Sequence, residues 1–173
     1  MIYRTKTYIA ADWDNDVDAV NKLHQWNNSY YWSLSFHDAH QVIQARDTSL
    51  YCSIKRSLRE RMRISKRFVL IVGDKTTTIS KGGCQYCPSY LAQFRPCTRG
   101  YLPDTKSYVA YECEMAVKDK IAIVVLYKST RINKEKCPAI LRNVGTHAPM
   151  YYRKPDGSID WDYNSVKRAF GYS

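Results

Sequence analysis

The chain has 173 residues, enough for one domain with a sizeable core. At 45% hydrophobic and 25% charged it has the make-up of a folded globular protein, which sets aside disordered and fibrous classes. Its formal charge of +11 favours anionic partners, and nucleic acid, anionic membrane and nucleotides all fit that description.

The opening MIYRTKTYIAADWD shows no apolar signal region before its first acid, and the longest apolar runs are strand length. A cytoplasmic protein without a membrane span is expected. Its six cysteines then read as thiols or metal ligands rather than disulfides.

Lys6 to Ala11 reads as a first strand, closed by the acidic turn Asp12-Trp13-Asp14-Asn15-Asp16. Val17, Val20, Leu23 and Trp26 then recur every three to four residues, which predicts an amphipathic helix ending at Asn27-Asn28. Asp14 is its expected N-cap, with Asp16 in the first turn. Tyr30 to Phe36 reads as a second strand, although it alternates poorly. His37-Asp38-Ala39-His40 opens a polar loop reaching Asp47-Thr48-Ser49. A second helix is expected from about Leu50 to Ile64, with Ile54, Leu58 and Met62 as its buried stripe.

Phe68 to Val72 is a third strand, an unbroken apolar run that leaves through Gly73-Asp74-Lys75-Thr76. Thr77 to Lys106 is one long irregular segment, an insert of a length that in compact domains is functional or held by a metal. Val109, Cys113, Ala116 and Val117 fall at helical spacing, and Lys118, Asp119 and Lys120 end that helix. Ile121 to Tyr127 is a buried strand. Ala148 to Tyr152 reads as a short edge strand, where Pro149 is tolerated. Asp156-Gly157 is a turn, and Asp160 is the expected cap of a last helix through Phe170.

Strands alternating with helices predict one α/β unit, residues 1–173, with a mostly parallel sheet and helices on both faces. Ligands bind such sheets in the crevice at the carboxyl ends of the strands. That rule gathers Asp12, Trp13, Asp14, Asn15, His37, Asp38 and Asp74 around one opening. The helix after the third strand starts on the same side.

Four motifs invite chemistry. The acidic turn suits a divalent metal or a phosphoacceptor cluster, loosely completed by Asp74 and Lys128, or else it is only a capped, solvated turn. Cys84, Cys87 and Cys97 have the spacing of zinc ligands, with Cys113 and His147 as candidates for a fourth; free thiols are the plain alternative. Lys55 to Arg67 carries seven basic residues, but its apolar stripe favours a helix with a solvated basic face over a nucleic-acid contact. No Gly-x-Gly-x-x-Gly or Walker A loop is present, so a nucleotide must bind by other means.

Glu112 and Glu114 lie about 200° apart around the helix at about 100° per residue. Glu112 borders the apolar face, where a carboxylate beside Tyr108 can hold a raised pKa or bind ribose hydroxyls, and Glu114 points to water. A surface glutamate is the plain alternative.

The segments YIAADWDND at 8–16, WSLSFHD at 32–38, the basic helix at 55–63, FVLIVGDKT at 68–76 and SYVAYECEMAVKDKIAIVVLY at 107–127 together resemble the TIR-like proteins of Thoeris antiphage defence. The resemblance implies a flavodoxin-like TIR fold and use of NAD+ as substrate. Family enzymes break the nicotinamide–ribose bond, and Thoeris members make an ADP-ribose-derived signal nucleotide, often cyclic, that activates a separate effector. The family's catalytic glutamate follows an aromatic-Val-x-x-Glu pattern, which Tyr108-Val109-Ala110-Tyr111-Glu112 fits. The cysteine-bearing insert resembles a variant within the family. TIR enzymes often complete their sites across a homo-oligomer, which makes a second copy of the chain an expected partner. Other TIR domains are non-enzymatic adaptors, and a basic nucleotide- or nucleic-acid-binding module is the third reading.

Overall fold

The structure is a computed structural model that describes residues 4–32, 34–42, 50–90, 97 and 102–172. The far part of the polar loop, with Asp47-Thr48-Ser49, and residues 91–96 and 98–101 of the insert lie outside the described residues.

Four parallel strands form the central sheet in the order β1 (Lys6–Ala10), β2 (Ser65–Val72), β3 (Ala122–Tyr127) and β4 (Thr146–Pro149). Each apolar run faces both ways. Tyr8, Phe68, Leu70, Val72, Ile123 and Val125 point to one core, under α2 (Tyr51–Arg63) and α3 (Tyr108–Lys118). Ile9, Val69, Ile71, Val124 and Leu126 point to the other, under α1 (Val17–Asn28) and α4 (Tyr163–Ala169). Burial on both faces is why these strands are continuously apolar rather than alternating. The result is a three-layer, flavodoxin-like α/β sandwich. A small antiparallel ribbon of β5 (Tyr151–Arg153) and β6 (Ile159–Trp161) lies outside the main sheet. Among the described residues no helix is long and apolar enough to cross a membrane.

The expected second strand at Tyr30–Phe36 does not form. Tyr30 and Tyr31 are exposed in a turn, and Ser35 takes a positive φ of 48°, which interrupts extended backbone. Leu34 and Phe36 still point inward, and the Asn27 side chain ties down Phe36 by donating to its carbonyl and accepting from its amide. Among the described residues of this segment, the chain meets the sheet at one parallel bridge, between Asp38 and Thr7. This single bridge occupies the edge beside β1. The spatial order is therefore that of a flavodoxin-like sheet whose second strand has shrunk to one contact.

Other boundaries also moved. Asp16, not Asp14, holds the N-cap position of α1, because Asp14 is folded into the turn closed by Asp12. Asp160 pairs with Tyr152 inside the ribbon, so Asp162 caps α4 by accepting from the amide of Ser165. The expected edge strand at Ala148–Tyr152 divides at Met150 between β4 and β5. The basic face of α2 is not simply solvated: Lys55 and Arg61 are buried, and Arg59 is clamped to Asp119.

Ser107 caps α3 by accepting from the amide of Ala110, and the helix ends with Lys120 in the left-handed region at φ 53°. Those two fixed ends, with Val109, Cys113 and Ala116 in the core, set the rotation of the helix. Glu112 is thereby turned inward at 5% exposure. Glu114 faces out and pairs with Lys106 at 2.6 Å.

Candidate active site

A cleft of about 750 Å3 opens between the end of β1, α2, the start of the insert and the first turns of α3. That size is in the range of small-molecule and cofactor sites. Asp12, Trp13, Asp14, Asn15, Tyr108 and Glu112, all expected from the sequence, line it. His40 and Arg61, which sequence reasoning did not select, line it too.

The β1 side is built by Asp12. Its carboxylate accepts from the Asp14 amide at 3.1 Å and from the Asn15 side chain at 2.6 Å, and its carbonyl accepts from the Asp16 amide at 2.7 Å. This turn holds Trp13 at the rim, 47% exposed and free to meet a flat ligand. Asp16 packs behind the turn against Gly73, where an added Cβ would come within 2.2 Å of Asp16 Oδ1. Gly73 therefore lets the β2 exit pass close under the acidic turn.

Glu112 lies at the base of the cleft. Burial pushes its carboxyl up to about 7, and the opposing effects of the Tyr8 hydrogen bond and the Arg61 charge do not offset that. Tyr8 Oη donates to Glu112 Oε1 at 2.5 Å from fully buried β1. Burial, reinforced by the neighbouring Glu112 charge, holds the Tyr8 hydroxyl protonated well above its ordinary range, so Tyr8 stays a donor. Glu112 is thus a carboxyl poised between its two forms near neutral pH.

Asp38 and His40 form a supporting pair. Asp38 accepts from His40 through both the backbone amide and Nδ1, and its other oxygen lies 3.0 Å from His24 Nε2. Burial raises the Asp38 carboxyl, but the bonds from the two imidazoles outweigh it and hold the group well below the usual carboxylate range. His40 is thereby fixed 4.8 Å from the Tyr8 ring and 5.7 Å from the Trp13 ring. Asp38 touches His40 and His24 rather than the cleft itself. His37 is exposed and contributes its carbonyl to the Thr7 amide.

Asp74 is not part of this constellation. It lines a separate depression with Lys128 and Lys136, and pairs with Lys136. Lys128 turns instead to Asp16 and Asp18, so the loose phosphoacceptor pattern is not assembled.

The insert enters as the remaining wall through Thr78 to Lys81. Cys84, Cys87 and Cys97 do share a cavity, of about 360 Å3, and Cys52 of α2 lines it with them. No three His, Cys, Asp or Glu side chains among the described residues gather into a metal-binding group. Cys113 is buried in the core and His147 bonds the Tyr127 hydroxyl, away from the insert thiols.

The signals that could have found the missed residues are modest. His40 lies two residues beyond Asp38, a spacing that lets the backbone and the ring both reach one carboxylate. Arg61 follows Ile54 and Leu58 by seven and three positions, on the very stripe that the apolar residues mark.

No curated protein matches the chain. Residues 8–81, which supply Tyr8, the acidic turn, His40 and Arg61 but not Glu112, match the family described as Thoeris protein ThsB, TIR-like domain, and so bear out the resemblance to the TIR-like proteins of Thoeris defence.

Proposed function

We propose that this protein is an NAD+-consuming TIR enzyme of antiphage defence. It cleaves the nicotinamide–ribose bond and turns the ADP-ribose part into a signal nucleotide, cyclic in the simplest case, that acts on a separate effector. The observation that carries the reading is Glu112, a buried carboxyl at the base of a nucleotide-sized cleft, held by Tyr8 with its pKa near neutrality. The Thoeris TIR-like match supports the defence role.

The geometry suits that chemistry. As the C–N bond breaks, its electron pair leaves with nicotinamide and positive charge develops at the ribose anomeric carbon, as in glycoside cleavage. Ionised Glu112 stabilises that charge in a site with little competing water, and can accept hydrogen bonds from the ribose hydroxyls. The Tyr8 bond occupies Oε1 and leaves Oε2 for the substrate. Water, or a nucleophilic atom of the same nucleotide, then bonds to the anomeric carbon, and any proton it carries passes to the Glu112 carboxylate or to solvent. Exclusion of water favours the intramolecular course. Trp13 stacks on nicotinamide or adenine at the rim. The run Lys55 to Arg67, with its seven basic residues, supports a nucleic-acid reading less than its charge suggests, because Lys55 and Arg59 are committed to Asp104 and Asp119.

The test is nicotinamide release from NAD+, followed by chromatography, with Glu112→Gln in parallel. Release by the wild type that the variant loses is the expected result. Equal release by both removes Glu112 from the mechanism, and no release by the wild type, with infected-cell extract added as trigger, favours the adaptor reading.

A further inference from the structure

We infer that Arg61 is the anion anchor of this cleft, holding phosphoryl oxygens of a nucleotide diphosphate. The inference rests on the nucleotide reading of the site and adds the residue that selects for phosphate.

The placement of Arg61 is unusual for its type. Ile54, Leu58 and Arg61 all line the cleft from one stripe of α2, so a guanidinium stands where the helix otherwise presents apolar side chains. Arg61 is 4% exposed, and its Nε has no hydrogen-bond partner among the described residues. A guanidinium stays charged at any ordinary pH, so a buried one without a full set of acceptors is costly and calls for a counter-charge. The other inward cations of the helix have theirs. Lys55 pairs with Asp104 at 3.0 Å, and Arg59 binds Asp119 through both nitrogens.

Glu112 does not meet that need. Its Oε1 is held by Tyr8, and with a carboxyl pushed up to about 7 it is only partly ionised at neutral pH. The charge of Arg61 is felt at Glu112 without cancelling the effect of burial. Lys75 also lines the cleft, while Lys81 is turned to Asp14 across the rim at 3.7 Å. The cleft thus has an acidic base on α3 and, on an otherwise apolar α2 wall, the single guanidinium of Arg61. A dinucleotide with its ribose at Glu112 brings two phosphates into the same space, and a guanidinium fork matches phosphoryl oxygens in geometry as well as charge.

The test measures binding rather than turnover. ADP-ribose, inorganic pyrophosphate and adenosine are titrated by calorimetry into the full chain as wild type, Arg61→Met and Arg61→Lys. Arg61→Met is expected to weaken ADP-ribose by about tenfold or more and to abolish competition by pyrophosphate, with adenosine unchanged. Arg61→Lys, which keeps the charge but not the fork, is expected to fall between. Should Arg61→Met fail to fold, Arg61→Lys and pyrophosphate competition in the wild type decide the matter. Wild-type affinity for ADP-ribose in Arg61→Met, an equal loss for adenosine, or no binding of ADP-ribose by the wild type overturns the inference. The two readings also fail separately. Arg61-dependent binding without nicotinamide release removes the enzyme and keeps the anchor; release with an unchanged KM in Arg61→Met does the reverse.

Discussion

Glu112 and Asp74 follow from the same rule about strand ends, yet the molecule treats them in opposite ways. Asp74 is exposed and paired with Lys136, and that bond and charge hold its carboxyl below the ordinary range. Glu112 is buried, its closest bond is to a neutral hydroxyl, and its carboxyl is raised. An acid on this side of the sheet has its carboxyl raised when the fold removes water without supplying a close cation. Where water and a lysine remain, the acid is a surface ion of small consequence.

The strongest way to break this contrast is at Glu112 itself. Glu112→Gln is expected to lower nicotinamide release by roughly 10²–10³-fold, the scale for losing one preorganised electrostatic group. Melting at pH 7 should show that the variant is folded. An unchanged rate would place Glu112 with Asp74.

Tyr8→Phe probes the neutral partner. The Tyr8 bond lowers the Glu112 pKa against burial, so its loss lets the carboxyl rise further. The acidic limb of the pH–rate profile should move to higher pH, with about a tenfold lower rate at pH 7. A profile that keeps its position would show that the hydroxyl does not tune the carboxyl.

The pH dependence of stability sharpens the contrast without any substrate. The folded pKa of Glu112 lies at about 7, above its ordinary 4.5, so the folded state binds the extra proton between those values. The contribution of Glu112 to stability is then fully present below about 4.5 and lost as pH rises through about 7. Denaturant titrations of the wild type and Glu112→Gln should diverge as pH goes from 5 to 8, the wild type losing on the order of a few kcal/mol relative to the variant. Parallel curves would mean that Glu112 is not desolvated.

The smallest effects belong to the exposed acids. Asp74→Asn and Glu114→Gln should leave nicotinamide release within about twofold and stability within about 0.5 kcal/mol. Glu114 shares a helix with Glu112, so a loss at Glu114 as deep as at Glu112 would show that the rotation of α3 is misjudged.

The rotation of α3 is the part of the site most legible from sequence. Val109, Cys113 and Ala116 mark one face, and Glu112 borders it, so periodicity alone separates the two glutamates. The apolar runs of β2 and β3 are equally plain, since only a strand covered on both faces has that composition. The segment before Asp38 misleads because, although it alternates poorly as a whole, Leu34 and Phe36 point inward as strand residues would, while a positive φ at Ser35 that no pattern announces breaks the extended backbone. Arg61 misleads for another reason. In a run of seven basic residues a buried cation looks like its solvated neighbours, and only its register with Ile54 and Leu58 sets it apart. Tyr8 is hidden by its own strand, where a tyrosine is an ordinary core residue until Glu112 is seen 2.5 Å from its hydroxyl.

The insert has its two ends fastened to each other. The Cys84 amide donates to the Asp104 carbonyl at 2.9 Å, and the Asp104 amide donates back to Cys84 Sγ at 3.2 Å. Lys55 grips the carbonyls of Asp104 and Lys106 from below, and Gly82 lies so close to the Tyr108 ring that a Cβ there would sit 2.5 Å from it. The cleft wall at Thr78 to Lys81 therefore ends at a staple that joins Cys84 to Asp104. Closing a loop costs only about 0.6 kcal/mol more for each doubling of its length. Because the staple closes at Cys84 and Asp104, a change in the length of chain between them costs the wall little.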